Sequence, residues 1–374
     1  MKDAAPDRRL HTMKRRGLEP AGAGTKVSFL GHPAAYPGRR CDVKVIETHF
    51  SWVFLAGTHA YKMKKPVRQE AMDYRTIAGR RRGCRAEVRL NRRLAPAVYL
   101  GVVPLGRKAD GHLVLGPGGR VVDWLVAMRR LPAARMLDVA MVRRTATAAE
   151  VRAVIRLLAD FYARARPRPM APRSYLGHLR NRILRLEREW VRCGFQFPRP
   201  KVQALVDAQL GFIARHARRL GERGSRLVEG HGDLRPEHVY LGSSAQGPAV
   251  IDCLEFDASL RRLDPIEEVA FLAMECTAAG ATQVARALLN GIRRQMHDGV
   301  SDALVHFYMS QRAATRAALS ARHLLDPELA PQFPHWRARA EAYLDSALRY
   351  ARAALRESTP GSRSLQPGHR PALD

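Results

Sequence analysis

The sequence predicts a two-lobed α+β protein: an antiparallel sheet interrupted by one helix, then a longer, mostly helical half. Three observations carry this. Short segments rich in β-branched and aromatic residues crowd the first third of the chain. Amphipathic helical periodicity dominates after Pro132. Between the later helices lies one β-like hairpin flanked by two aspartates, Asp233 and Asp252.

The first residues, 1–25, mix basic side chains with Pro, Gly and Ala and are expected to be a disordered extension. The N-lobe is expected over 26–131. Val43 to His49, Ser51 to Gly57 and His59 to Lys65 read as consecutive antiparallel strands. Tyr74 to Leu94 reads as a helix ended by Pro96, and Tyr99 to Pro104, His112 to Leu115 and Val121 to Met128 read as three further strands. The C-lobe is expected over 132–356. Ala148 to Arg166 sets Val151, Val154, Ile155, Leu158, Phe161 and Tyr162 on one stripe. Two helices precede the aspartate hairpin (Ser174 to Gly194, Pro200 to Leu220). Four follow it, near Pro265 to Ala278, Ala281 to Met296, Ser301 to Leu325 and His335 to Arg356. Asp264 before Pro265 suits a helix N-cap. The tail, 357–374, is Pro-, Ser- and Gly-rich and expected to be disordered. No internal repeat is present.

Composition bounds the function. The chain has 374 residues and a net charge of +29. Such a field attracts nucleic acid, anionic membrane or phosphorylated small molecules. Arginine far outnumbers lysine and alanine is frequent, as a GC-rich coding background produces, and aromatic residues do not interleave with the arginines. General nucleic-acid binding is therefore the minor expectation. No apolar run reaches the roughly 20 residues of a membrane span. The N-terminus lacks the apolar region of a signal peptide. Five scattered cysteines without a CxxC pair point to reduced thiols, a cytoplasmic location and no zinc site.

Asp233 and Asp252 sit beside apolar strand-like residues in VEGHGDLRPEHVYLGSSAQGPAVIDCLEFD (Val228 to Asp257). Carboxylates beside such residues call for a cation or a proton, so the pair suggests a metal-dependent site. A base-like Asp on a loop, a hairpin and a second Asp after an apolar strand form a phosphoryl-transfer layout. HGDLRPEH (His231 to His238) resembles the HGDxxxxN loop of the aminoglycoside phosphotransferases, a family of protein-kinase-like fold. VIDCLEF (Val250 to Phe256) resembles their metal-binding segment, and LDPIEEVAFL (Leu263 to Leu272) the DPxxDLA run after it. The resemblance implies a kinase N-lobe and C-lobe, ATP and Mg²⁺ as cofactors, and a small-molecule acceptor. It implies Asp233 as the residue that accepts or orients the acceptor proton, His231 as a prop of the loop, and Asp252 as the metal ligand. Glu255 reaches the metal or a loop amide. The family's metal-binding Asn is His238 here. Imidazole replaces an amide oxygen poorly on Mg²⁺, so four readings stay open. His238 binds a softer ion such as Mn²⁺, leaves the second metal to Glu237 or water, marks lost catalysis, or only hydrogen-bonds the loop.

Lys62 and Lys64 share one strand face, and Glu87 is the only acidic residue between Tyr74 and Leu94. A kinase needs one strand lysine over the α- and β-phosphates, held by a helix glutamate. With the downstream motifs in order, a Lys–Glu pair is expected, Lys62 ahead of Lys64. The ordinary alternative is a solvated edge strand with snorkelling lysines. His49 and Ser51 lie where the family folds a hairpin over the nucleotide; phosphate donors and turn residues are equally good readings. Val126 to Pro132 sits where a hinge joins the lobes, with the backbone of Ala127 and Met128 expected against adenine. From Arg173 to Arg226, 13 Lys or Arg face four acidic residues. That balance repels a polycationic aminoglycoside and suits a neutral or anionic acceptor; the alternative is arginines on solvated helix exteriors.

Overall fold

The computed structural model describes residues 22–36, 42–69, 72–192, 197–243 and 246–357. The expected disordered extension lies mostly outside these residues, as do the tail beyond Glu357 and Cys41 and Cys193. The chain divides into two compact units, 1–89 with 97–130, and 90–96 with 131–374.

The first unit is built on a six-stranded antiparallel sheet in the order β1-β2-β3-β8-β6-β7. Its strands are β1 (Val43–Glu47), β2 (Ser51–Ala56), β3 (His59–Lys64), β6 (Tyr99–Arg107), β7 (Leu113–Leu115) and β8 (Arg120–Arg129). A two-residue ribbon, β4 (Arg68–Gln69) with β5 (Met72–Asp73), leads into helix α2 (Ile77–Asn91). Thr76 opens that helix by accepting from the Gly79 amide at 3.0 Å. The period of two is visible in the burial. Trp52 and Phe54 of β2 pair with Met63 and Tyr61 of β3 on the core face, which leaves Lys62 and Lys64 on the other. Helix α1 (Ala23–Leu30) is among the elements with no counterpart in the sequence reading. It buries Leu30 in this core, and its Lys26 reaches Asp123 of β8 at 2.8 Å. Asp123 also takes a bidentate pair from Arg80 of α2, at 2.7 and 3.0 Å.

The second unit is helical, with α3 (Leu137–Val142), α4 (Ala148–Arg164), α5 (Pro172–Arg192), α6 (Arg199–Arg215), α7 (Ala217–Glu222), α8 (Pro265–Ala278), α9 (Thr282–Gln295), α10 (Asp302–Arg322) and α11 (Phe333–Glu357). The stripe expected on α4 is buried throughout, and Thr147 with Glu150 forms a capping box at its start. Asp264 caps α8, accepting from the Ile266 amide at 3.0 Å, with Pro265 in the first turn. Two short antiparallel pairs frame the acidic motifs: β9 (Val228–Glu229) with β12 (Arg262–Leu263), and β10 (Val239–Tyr240) with β11 (Ala249–Val250). The strand expected over AVIDC therefore stops at Val250. The helix expected over Pro200 to Leu220 is broken at His216 into α6 and α7.

Among the described residues no helix is long and apolar enough to cross a membrane. Cys84, Cys253 and Cys276 are buried.

Candidate active site

In the first unit, α2 covers the lysine face of β3. Both lysines reach Glu87: Lys64 Nζ lies 2.6 Å from Oε2 and Lys62 Nζ 3.0 Å from Oε1. Glu87 is fully buried, and the Lys64 side chain is 2% exposed against 16% for Lys62. A buried carboxylate left unpaired is costly; here Lys64 is its inner partner and Lys62 the outer one. Lys64 is also capped by the Tyr74 ring, 5.0 Å from its centroid. Gly83 makes this packing possible, because a Cβ there would come within 2.6 Å of Tyr74. Of the two lysines, Lys62 is the more exposed.

In the second unit, the loop from His231 to His238 is held from below by Glu268 of α8. The Glu268 carboxylate, 1% exposed, accepts the His231 amide at 3.0 Å, the Gly232 amide at 2.5 Å and the Tyr162 hydroxyl at 2.9 Å. Burial pushes its pKa up. Arg93 fixes the approach to the loop, donating to the carbonyls of Glu229 and Gly230 at 2.8 Å each. His231 is fully buried; burial drives its imidazole down to about 3, so it is neutral. Its Nε2–H donates to the Ile251 carbonyl at 2.9 Å, and Nδ1 accepts the Asp233 amide at 3.3 Å. That ring ties the Asp233 loop to the Asp252 segment.

Asp233 presents a side chain 24% exposed. Burial acts to raise its carboxyl, but Arg235, then His238 and Arg316, outweigh it and hold it below the ordinary value. Arg235 is the near partner, donating through Nε to Oδ2 at 3.0 Å while its Nη1 reaches Glu237 at 2.5 Å. His238, 7% exposed, donates Nδ1–H to the Asp233 carbonyl at 2.8 Å. Its Nε2 faces Arg235 Nη2 at 3.3 Å and Asp252 Oδ2 at 3.6 Å.

Asp252 is half exposed and holds a left-handed backbone, φ 64°, which an Asp tolerates at a cost of about 1 kcal/mol. Its neighbours enforce it: the Ile251 amide donates to the His238 carbonyl at 2.9 Å, and the Cys253 amide to Asn91 Oδ1 at 2.9 Å. An imidazole nitrogen and a carboxylate oxygen 3.6 Å apart can share one divalent cation. No cluster of three or more metal-ligating side chains exists among the described residues.

The other expected residues fall out differently. His49 and Ser51 flank the tip of the β1–β2 hairpin. The Ser51 backbone is tied to Thr48 at 2.8–3.0 Å and its side chain is buried, whereas His49 is exposed. Ala127 and Met128 lie within β8, each paired to β3 on one side and β6 on the other. β8 ends at Arg129, and the Arg130 amide beyond it donates to the Thr58 carbonyl at 2.9 Å. Glu255 is half-buried in the irregular segment past Asp252. Two arginines of the basic region turn inward. Arg182 meets Glu267 at 2.7 Å, and Arg223 binds both Asp264 and Asp298 at 2.6–2.8 Å.

Comparison with solved structures places this fold. Aminoglycoside 2'-phosphotransferase-IIIa, solved as its GDP complex, aligns with a TM-score of 0.54 over 87% of this chain and 98% of its own, at 14% identity. A choline/ethanolamine kinase family protein from Mesorhizobium loti aligns at 0.51, over 88% and 98%, at 12% identity. The chain has the aminoglycoside-phosphotransferase fold, a two-lobed protein-kinase-like fold. By sequence it is 32% identical over 283 residues to uncharacterized proteins of Mycobacterium tuberculosis and Mycobacterium bovis, covering 74% of this chain and 54% of theirs. The chain thus spans about half the length of the curated relatives it matches. No family model matches it.

Proposed function

We propose that the chain is a phosphotransferase of the aminoglycoside-phosphotransferase-like family, moving the γ-phosphoryl of ATP to a hydroxyl of a small neutral or anionic molecule. The observation that carries this is the loop around Asp233. Glu268, His231 and His238 fix the backbone on either side of it, yet the carboxylate stays partly open and ionised. A pre-set acceptor beside a rigid backbone is what aligning an attacking hydroxyl requires. Asp233 receives the hydroxyl hydrogen bond and takes the proton as the O–P bond forms and the β–γ bridge oxygen leaves. Arg235 keeps its basicity low, so its larger part is orientation. Lys62, the exposed partner of Glu87, neutralises the α- and β-phosphates while Lys64 holds Glu87 in place. Asp252 and the Nε2 of His238 would hold the divalent cation, Mg²⁺ or Mn²⁺, which when bound supplies charge neutralisation for the triphosphate.

The names of the two solved neighbours, a phosphotransferase and a kinase, support the reaction class. The balance of charge on α5 to α7 supports an acceptor that is not a polycation. The test is release of labelled phosphate from ATP and GTP with Mg²⁺ or Mn²⁺. Asp233→Asn and Asp252→Asn should each abolish release while circular dichroism stays unchanged; release that survives both overturns the reading.

One observation favours a second reading. The ion pair of Arg235 with Asp233 blunts the carboxylate, as in a nucleotide-binding regulator without turnover. That protein would bind Mn²⁺·ATP and release no phosphate.

A further inference from the structure

Helix α2 turns Glu87 and Arg80 inward and its other four arginines outward. Each residue advances about 100° around the axis, so Arg81, Arg85, Arg89 and Arg82 fall within an arc of about 100°, with Glu87 on the far side. All four arginines are exposed. Arg81, Arg85 and Arg89 follow one another at about 6 Å along the axis. Arg81 lies over the Trp124 ring, 4.6 Å from its centroid. Arg82, Arg85 and Arg89 have no carboxylate partner among the described residues. Like charges one turn apart destabilise a helix by a few tenths of a kcal/mol per pair, so the row does not serve the stability of α2.

We infer that this face of α2 docks on the phosphate backbone of nucleic acid. Regularly spaced cations on a rigid rod match a regularly spaced polyanion better than the irregular carboxylates of an acidic protein surface. Arginine gives the planar fork that binds phosphate through two donors. An anionic membrane would call for an apolar flank, and the only large apolar side chain exposed on α2 is Ile77. The single aromatic ring at this face, Trp124, lies beneath Arg81, so contact is to backbone and independent of sequence. The surface does not depend on the phosphotransferase reading.

The test is fluorescence anisotropy of the full chain with a labelled DNA duplex over a salt series. Binding should weaken linearly in log salt, and Arg81→Gln/Arg85→Gln/Arg89→Gln should make the slope shallower by about 2–3, at about 0.9 per lost phosphate contact. A matched variant, Arg349→Gln/Arg352→Gln/Arg356→Gln on α11, removes the same charge from another exposed basic surface and should leave the slope within about one of wild type. Arg81→Lys/Arg85→Lys/Arg89→Lys should keep it. If the Gln triple loses helix signal, Arg85→Gln alone reads the same effect as a change of about 0.9. Equal slope changes in both Gln triples, no duplex binding by wild type, or tighter α2-dependent binding to phosphatidylserine vesicles or poly-glutamate than to duplex would each overturn the inference.

Discussion

Glu268 is the buried group on which the loop around Asp233 rests, and its removal has a calculable cost. Glu268→Ala orphans the amides of His231 and Gly232 and the hydroxyl of Tyr162. Each buried donor left unmade costs about 1–3 kcal/mol, and with partial relaxation the sum is about 3–5 kcal/mol. Glu268→Gln behaves differently. Its carbonyl can face the two amides while the Tyr162 hydroxyl rotates to accept from the new NH₂, so only the charge assistance is lost, about 1–2 kcal/mol. For a unit of this size each kcal/mol shifts the melting midpoint by about 2–4 °C. Differential scanning calorimetry should find the Ala variant about 6–20 °C below wild type and the Gln variant at most half as far. Tyr162→Phe, combined with Glu268→Gln in a double-mutant cycle, should show coupling, because the two side chains share one hydrogen bond. Melting of the Ala variant within a degree or two of wild type would refute the reasoning.

Other outcomes follow from the same geometry. Lys64→Ala weakens a fully buried pair and should lower stability by up to about 3 kcal/mol in chemical denaturation. Lys62→Ala should unfold nearly as wild type yet bind Mn²⁺·ATP at least about tenfold more weakly by calorimetry, a loss of about 1.4 kcal/mol; the reverse pattern exchanges their roles. Glu267 is buried between Arg182 and Arg312, which outweigh its burial and hold its carboxyl near about 2. A folded value below the ordinary 4.5 gives stability that is full above 4.5 and lost as pH falls toward 2, about 3 kcal/mol in all. Glu267→Gln should flatten the stability–pH curve in that window. The His231 imidazole, depressed to about 3, gives stability that is full above 6.5 and lost as pH falls toward 3. Nitrogen-15 NMR should show it neutral, protonated at Nε2, at pH 5; an imidazolium signal there would contradict its burial.

Much of this molecule was legible in the sequence where one local pattern decided the outcome. The β-branched runs fixed the sheet strands to within a few residues, and the stripe on α4 is buried as its spacing requires. Asp264 before Pro265 announced a capped helix. What stayed hidden depends on long-range partners. The sequence ranks Lys62 above Lys64, but only the packing of Tyr74 and Gly83 makes Lys64 the buried member. Glu268 carried a signal in PIEEVAFLAM, two acids in an otherwise apolar helix, yet its partners lie on α4 and in the loop. Arg235 stands between two acids within HGDLRPEH, and nothing local shows that it clamps both. Ala127 and Met128 read as a hinge because Pro132 follows; that β8 runs on to Arg129 between β3 and β6 depends on partners distant in sequence. Helix α1 is short and flanked by glycine, and its contact through Lys26 to Asp123 spans almost the whole first unit.

The central claim is tested most directly by following the γ-phosphoryl of labelled ATP into a pool of small metabolites with Mn²⁺ present. The account predicts labelled product that resists charcoal adsorption, formed by wild type and reduced at least about a hundredfold by Asp233→Asn, the range for loss of a positioned acid–base group, while that variant still binds Mn²⁺·ATP. Transfer by Asp233→Asn at the wild-type rate, or no transfer by a wild type that binds the nucleotide, would contradict it.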